Sequence, residues 1–268
     1  MTSDQFTDDW SLITFFMLDH LYPHTPQIIA HRGASAAAPE NTLAAFNLAI
    51  EFGADAVELD VDLTRGGVPI VIHDNTVDRT TNGHGAVANL TLNEIKQLDA
   101  GSWKDSRFAG ERIPTLEEVF EAIAKKIWIN VELKKMSLKD NGLEEAVVRL
   151  IQKMNLRDRV ILSSFNPFAI RKAKQIDPSI PIALLTTGKT PLYLREAWLE
   201  PLLSLEARHP QQAQLKAKGM AHYKRGGKRV NVWTVDDPND MKLFVSQGVD
   251  GIITNVPDVG KRSMKDEV

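Results

Sequence analysis

Short runs of aliphatic and β-branched residues alternate along the chain with stretches whose apolar positions recur every three to four residues. The first kind of run predicts strands at Gln27–His31, Ala56–Leu63, Ile127–Leu133, Val160–Ser164, Ile182–Leu185, Leu202–Ala207, Arg229–Val235 and Gly251–Thr254. The second predicts helices at Leu43–Phe52, Leu116–Lys125, Leu143–Met154, Phe168–Gln175, Leu192–Trp198, Gln211–Lys224 and Asn239–Gln247. Strands separated by helices give a parallel sheet, and eight of them at this spacing predict an α/β fold, a TIM-type (β/α)8 barrel. An open doubly wound sheet is the alternative. No G-x-G-x-x-G follows the first strand, which counts against it. The sixth strand has the least regular pattern.

Two segments depart from the rhythm. From Asp74 to Pro114 the chain is rich in Gly, Asn and Thr and too long for a simple connection. It reads as a small subdomain inserted after the second strand, near the catalytic face. Within it, Thr91 and Glu94 have capping-box spacing ahead of a short helix through Leu98. Asp78, Arg79, Thr80 and Thr81 are expected to shape the segment, and Trp103 and Phe108 to fill its core. The other departure is Trp10–Leu18, strongly apolar but nine residues long. A membrane-spanning helix needs about 20 residues, and acidic residues precede it where a signal peptide carries positive charge. Residues 1–26 are therefore expected to be an extension holding a helix packed on the barrel or on a second copy of the chain, with 27–268 as the catalytic barrel.

Composition narrows the partners. Lys plus Arg is 32 and Asp plus Glu is 35, a net charge of −3, without the basic footprint of a nucleic-acid binder. A small anionic substrate needs only local positive charge. With no cysteine, disulfides, thiolate zinc sites and cysteine nucleophiles are excluded. The same absence suits a cytoplasmic protein and equally a cysteine-free secreted one.

The candidate chemistry gathers at strand ends. His31 and Arg32 close the first strand, and "AVELDVDL" places Glu58, Asp60 and Asp62 on one face of the second. "VPIVIHDN" ends an apolar run in His73 and Asp74. "IWINVELKK" places Glu132 and Lys134 on one face, and Trp233 lies near the end of the seventh strand. Barrel enzymes build their sites at this C-terminal end. Three carboxylates together inside a barrel repel one another unless a cation or basic groups compensate. Glu58, Asp60 and Glu132 are hard oxygen donors, which suits Mg²⁺ or Ca²⁺ better than zinc. Arg32 and Lys134 can hold phosphate oxygens, and His31 and His73 can share proton transfer near neutral pH. The set suits metal-assisted hydrolysis of a phosphate ester. Asp62, an extra carboxylate, is expected to pair with Arg32 or Arg65. Glu40 and Asn41 offer either helix capping or support of the site.

The chain resembles the glycerophosphodiester phosphodiesterases through "AHRG" with "PENT", "VELDVDLTRGGVPIVIHD", "DRTTNGHG", "IPTLEEVF", "NVELK", "SSFNP", "VNVWTVDDP" and "GVDGIITNVPD". These follow one another in the family's order from about Gln27 to Asp258. The resemblance implies a TIM-type barrel with an insertion after the second strand. It implies hydrolysis of deacylated phospholipids, such as glycerophosphocholine, to sn-glycerol 3-phosphate and an alcohol, with Mg²⁺ or Ca²⁺. By position it makes His31 and His73 the acid/base pair, and Glu58, Asp60 and Glu132 the metal ligands. Arg32 and Lys134 become phosphate contacts, and Trp233 an aromatic near the glycerol. The sixth-strand region "LLSLEARHPQQAQ" departs from the family pattern, leaving His209 as a remnant of a substrate-side position or a loop histidine. A lysophospholipid- or sphingomyelin-directed phosphodiesterase, a silent phosphate-ligand binder and an aldolase-type barrel are the rival expectations.

Overall fold

The structure, a computed structural model, describes residues 18–134, 140–189 and 203–265. Among these, nine strands form one sheet, and pairing of its first and second strands closes it into a barrel. The barrel strands are β1 (Gln27–His31), β2 (Ala56–Leu63), β4 (Trp128–Leu133), β5 (Val160–Ser164), β6 (Ile182–Thr186), β7 (Ala207–Pro210), β8 (Arg229–Val232) and β9 (Gly251–Thr254), all parallel. Strand β3 (Pro69–Val71) runs antiparallel to β2, outside the barrel. The closure excludes the open doubly wound sheet.

Helices cover the outside: α1 (Leu43–Glu51), α3 (Leu116–Ile123), α4 (Leu143–Lys153), α5 (Pro167–Ile176), α6 (Gln212–Lys218), α7 (Met220–Tyr223), α8 (Pro238–Ser246) and α9 (Pro257–Lys265), with α2 (Leu92–Gln97) in the insertion. Their starts follow local chemistry. Thr42 caps α1 by accepting from the Ala45 amide. Thr91 with Glu94 and Thr115 with Glu118 form reciprocal capping boxes on α2 and α3. The predicted helix Gln211–Lys224 is two helices, broken at Gly219, whose φ is 74°. The predicted helix Leu192–Trp198 lies outside the described residues, as does all of Trp10–Leu18 except Leu18.

Period-2 alternation sorts the strand side chains into two cores. Val57, Leu59, Val61, Ile129, Val131, Val160 and Leu162 face outward into the helix layer. Ile29, Ala56, Trp128, Ile161, Ala183, Ala207 and Ile253 face inward, and Leu18, Leu21 and Tyr22 pack against them from below. The residues just before β1 therefore plug the N-terminal end of the barrel. Tyr22 Oη accepts from Asn231 Nδ2 at 2.6 Å, Arg229 stacks over its ring at 5.2 Å, and the same guanidinium pairs with Asp19 and Asp250. The opposite end of the barrel remains to be filled by polar side chains.

The sixth barrel strand lies at Ala207–Pro210 rather than Leu202–Ala207. Its inward positions are Ala207 and His209, and the outward Arg208 donates to the carbonyls of His222 and Tyr223 at 3.0 and 2.6 Å. His209 is therefore a fully buried strand residue, not a loop histidine. Residues 72–114 pack around Ile70, Ile72, Val77, Val87, Ile95, Ala100 and Ile113. Trp103 is half-exposed and Phe108 only partly buried, so they are not that core.

Candidate active site

Register brings the chemistry together. His31 on β1 pairs with Glu58 on β2, and Glu58 with Asn130 on β4. One step further up, Asp60 pairs with Glu132, and Glu132 with Ser163 on β5. Inward-facing positions on adjacent strands thus place Glu58, Asp60 and Glu132 with one carboxylate oxygen each within 4.8 Å of the others, all buried. A cavity of about 160 Å³ opens beside them. His31, Arg32, Glu58, His73, Glu132, Lys134 and Trp233 all line it. Asp60 lies just behind, held by groups that do.

Each group is oriented by a neighbour. Asn255, the residue after β9, accepts from His31 Nδ1 at 2.7 Å. Asn255 Oδ1 also accepts from Ser35, and its Nδ2 donates to Asp236, which fixes which end of the amide faces the ring. His31 Nε2 therefore carries the free lone pair, 3.9 Å from Glu58. Burial, reinforced by the adjacent Arg32, lowers its pKa to about 4, so the ring is neutral at pH 7. His73 donates from Nδ1 to Asp74 at 2.6 Å. Asp74 also accepts from Arg79 Nε at 2.7 Å, and the same guanidinium grips Glu40 with bonds of 2.9 and 2.7 Å. Glu40 accepts in turn from Arg32 Nη1 at 2.9 Å. Arg79 of the insertion thus ties the loop carrying Arg32 to the loop carrying His73.

The carboxylates differ although all three are buried. Asp60 is desolvated, but Lys134 at 3.4 Å and Arg32 at 3.3 Å outweigh burial and hold its carboxyl below the usual range. Asn41 donates to Asp60 at 2.9 Å and adopts a φ of 59° to do so. Burial and then the charges of Asp60 and Glu132 push Glu58 well above the usual carboxylate range. Burial and Asp60 raise Glu132 to about 7 despite Lys134 at 2.8 Å. Among the described residues, the two cations Arg32 and Lys134 do not balance three carboxylates in this space. An all-oxygen donor set, with Asp60 Oδ1 buried and accepting no hydrogen bond, fits a hard divalent cation.

All eight residues singled out from sequence meet at one end of the barrel. Trp233 stands edge-on to Phe165, with centroids 5.5 Å apart, and its Nε1 donates to the His209 carbonyl at 2.7 Å. Asp62 departs from expectation. It accepts from the Leu63 amide at 2.8 Å and pairs with neither arginine, because Arg32 is taken by Glu40 and Asp60 while Arg65 lies nearest Glu94. Thr42 does the helix capping, which leaves Glu40 and Asn41 to the site. The sequence alone does not point to Asn255 or to the orienting roles of Asp74 and Arg79. Only Asp74, adjacent to His73, carried a local signal.

A parallel barrel whose C-terminal mouth holds a buried carboxylate cluster between two imidazoles and two cations is the architecture of a phosphate-ester hydrolase. The chain belongs to the glycerophosphoryl diester phosphodiesterase family, whose model matches residues 31–259. A glycerophosphodiester phosphodiesterase of Caldanaerobacter subterraneus subsp. tengcongensis is 46% identical over 234 residues, covering 86% of this chain and 94% of that one. A solved Oleispira antarctica phosphodiesterase, in complex with the product sn-glycerol-3-phosphate, superposes with a TM-score of 0.81 at 34% identity, covering 91% of this chain and 99% of that one. The glycerophosphodiester phosphodiesterase of Agrobacterium tumefaciens superposes with a TM-score of 0.77 at 30% identity, covering 89% and 100%.

Proposed function

We propose that the protein hydrolyses glycerophosphodiesters, such as glycerophosphocholine or glycerophosphoethanolamine, to sn-glycerol 3-phosphate and the head-group alcohol. The observation that carries this reading is the convergence of three buried carboxylates and two separately oriented imidazoles on one small cavity, in a chain of this family. Glu58, Asp60 and Glu132 would hold a divalent cation, Mg²⁺ or Ca²⁺. Bound there, such an ion polarises the phosphate and neutralises developing charge.

The chain's own groups account for the rest. Arg32 and Lys134 face the cavity as phosphate contacts, each already anchored by a carboxylate that limits its motion. His31 is neutral, with Nδ1–H committed to Asn255, so Nε2 is the group that accepts a proton from the nucleophile. His73, its Nδ1–H held by the Asp74 carboxylate, is the group that delivers a proton to the leaving alcohol. Trp233 and Phe165 give the glycerol carbons an apolar wall.

The test is release of glycerol 3-phosphate from several diester head groups, with and without chelator. His31→Ala should lower turnover by roughly 10²–10⁴-fold, and Glu58→Gln, which takes one carboxylate from the cation site, should lower it by orders of magnitude. Near-normal activity in either variant removes that residue's role, and release of phosphocholine instead of glycerol 3-phosphate defeats the reaction as written.

A further inference from the structure

Asn130 is only 1% exposed, yet both its Oδ1 and its Nδ2 are buried without a hydrogen-bond partner. Leaving an amide in that state costs desolvation with no return, and such exceptions in native proteins need a reason. The side chain lines the cavity, on β4 directly beside Glu58 and two residues below Glu132.

The other walls of the cavity show what is missing. One side is charged or titratable, from the two histidines to Lys134, and suits the phosphate. The other is Phe165, Leu185, Trp233 and Ile253, and suits carbon. The indole N–H of Trp233 is already spent on His209. A glycerol 3-phosphoryl group also brings two hydroxyls, each a donor and an acceptor. Among the described residues lining the cavity, Asn130 alone is uncharged and has both a donor and an acceptor available. We propose that Asn130 binds a hydroxyl of the glycerol moiety and sets the preference of the site for glycerol-bearing diesters. The inference rests on the phosphodiesterase reading and adds the means by which the alcohol is selected. A neutral amide is suited to the task, because it satisfies a hydroxyl in both directions without adding a fourth charge to the carboxylate cluster.

The experiment is a two-by-two cycle of kcat/KM: wild type and Asn130→Ala, each on glycerophosphocholine and on propyl phosphocholine, which keeps the diester and loses both hydroxyls. A hydroxyl-binding site left unpaired by the deoxy substrate should discriminate by roughly 10²-fold or more. Wild type should therefore prefer the glycerol diester by that factor. Asn130→Ala should lose the preference, falling on glycerophosphocholine while staying within about threefold of wild type on the propyl diester. Equal losses on both substrates would assign Asn130 to folding or chemistry and overturn the proposal, as would no loss on either. Should the variant fail to fold, wild type alone decides through glycerol, 3-hydroxypropyl and propyl diesters, and equal rates on all three overturn the proposal. If wild type cleaves none of them, the phosphodiesterase reading itself has failed, and that result is distinct from all the others.

Discussion

His209 shows how one side chain can make stability depend on pH without touching the chemistry. It is fully buried on β7, with Nε2 3.0 Å from Asn231 Nδ2, and burial lowers its pKa from 6.5 to about 3. Below about pH 6.5 the unfolded chain binds a proton that the native state refuses, so this residue's contribution to stability falls as pH falls, down to about 3. His209→Gln should remove that dependence. Relative to its own value at pH 7.5, the variant should gain on wild type by about 1.4 kcal/mol per pH unit below 6.5. Urea melts of both proteins at pH 7.5, 6, 5 and 4 check this, and parallel curves refute it. The same residue marks a limit of sequence reading. A histidine followed by proline in a run with few apolar residues has no signature of burial, because its partner Asn231 is 22 residues away. His31 and His73 are legible in the sequence because each follows directly on an apolar strand run. Asn255, which orients His31, is separated from it by 224 residues and joins it only when β9 pairs with β1.

Elements were legible where one face of the chain is uniformly apolar. Strands β1, β2, β5 and β9 match their expected bounds because both their faces are buried: β1, β5 and β9 hold short aliphatic runs, and β2 has an unbroken aliphatic outward face of Val57, Leu59, Val61 and Leu63. Strand β7 does not, because its inward residues are Ala and His and its outward Arg208 is satisfied by the His222 and Tyr223 carbonyls of α7. The loop between β1 and α1 is a case in which a glycine decides the geometry of a site. Gly33 has a φ of 82°, and a Cβ there would lie 2.6 Å from the Ala45 carbonyl carbon at the start of α1. Arg32 beside it also has positive φ, 55°, and Gly33 N closes the turn onto the Ala30 carbonyl. Gly33→Ala must push β1 and α1 apart or unwind the turn, and either displaces Arg32 from Asp60 and Glu40. The expected cost is on the order of 1–3 kcal/mol. Glycerol 3-phosphate release should fall at temperatures where the variant remains folded. Circular dichroism melts beside the release assay test this, and a fully active, destabilised variant would mean that Arg32 tolerates the shift.

At the scale of the molecule, the barrel concentrates its cost at one end. The lower end is filled by Tyr22, Leu21 and Trp128 and braced by Arg229 between Asp19 and Asp250, so it packs as an ordinary core. The upper end brings Glu58, Asp60 and Glu132 into contact, opposed among the described residues by Arg32 and Lys134. Without a bound cation the fold must hold either repelling carboxylates or a proton it would not otherwise take up; burial first, and the neighbouring carboxylates second, push Glu58 and Glu132 above the usual carboxylate range. Function and stability therefore compete at this end. At pH 8 in chelator, Glu58→Gln should be more stable than wild type, because the amide keeps an oxygen for the Arg32 amide while removing one charge from the cluster. A rise in Tm of roughly 2–4 °C is expected for each kcal/mol so gained by a chain this long. Adding millimolar Mg²⁺ or Ca²⁺ should reverse the order. Wild type gains by mass action, about 2.7 kcal/mol when the ion is at 100 times its Kd, and the variant, short of one ligand, gains much less. Scanning calorimetry of both proteins with and without each ion measures all four values. A wild type that is unmoved by either ion, or a variant no more stable in chelator, would show that Arg32 and Lys134 already balance the carboxylates and that no ion is needed to complete the site.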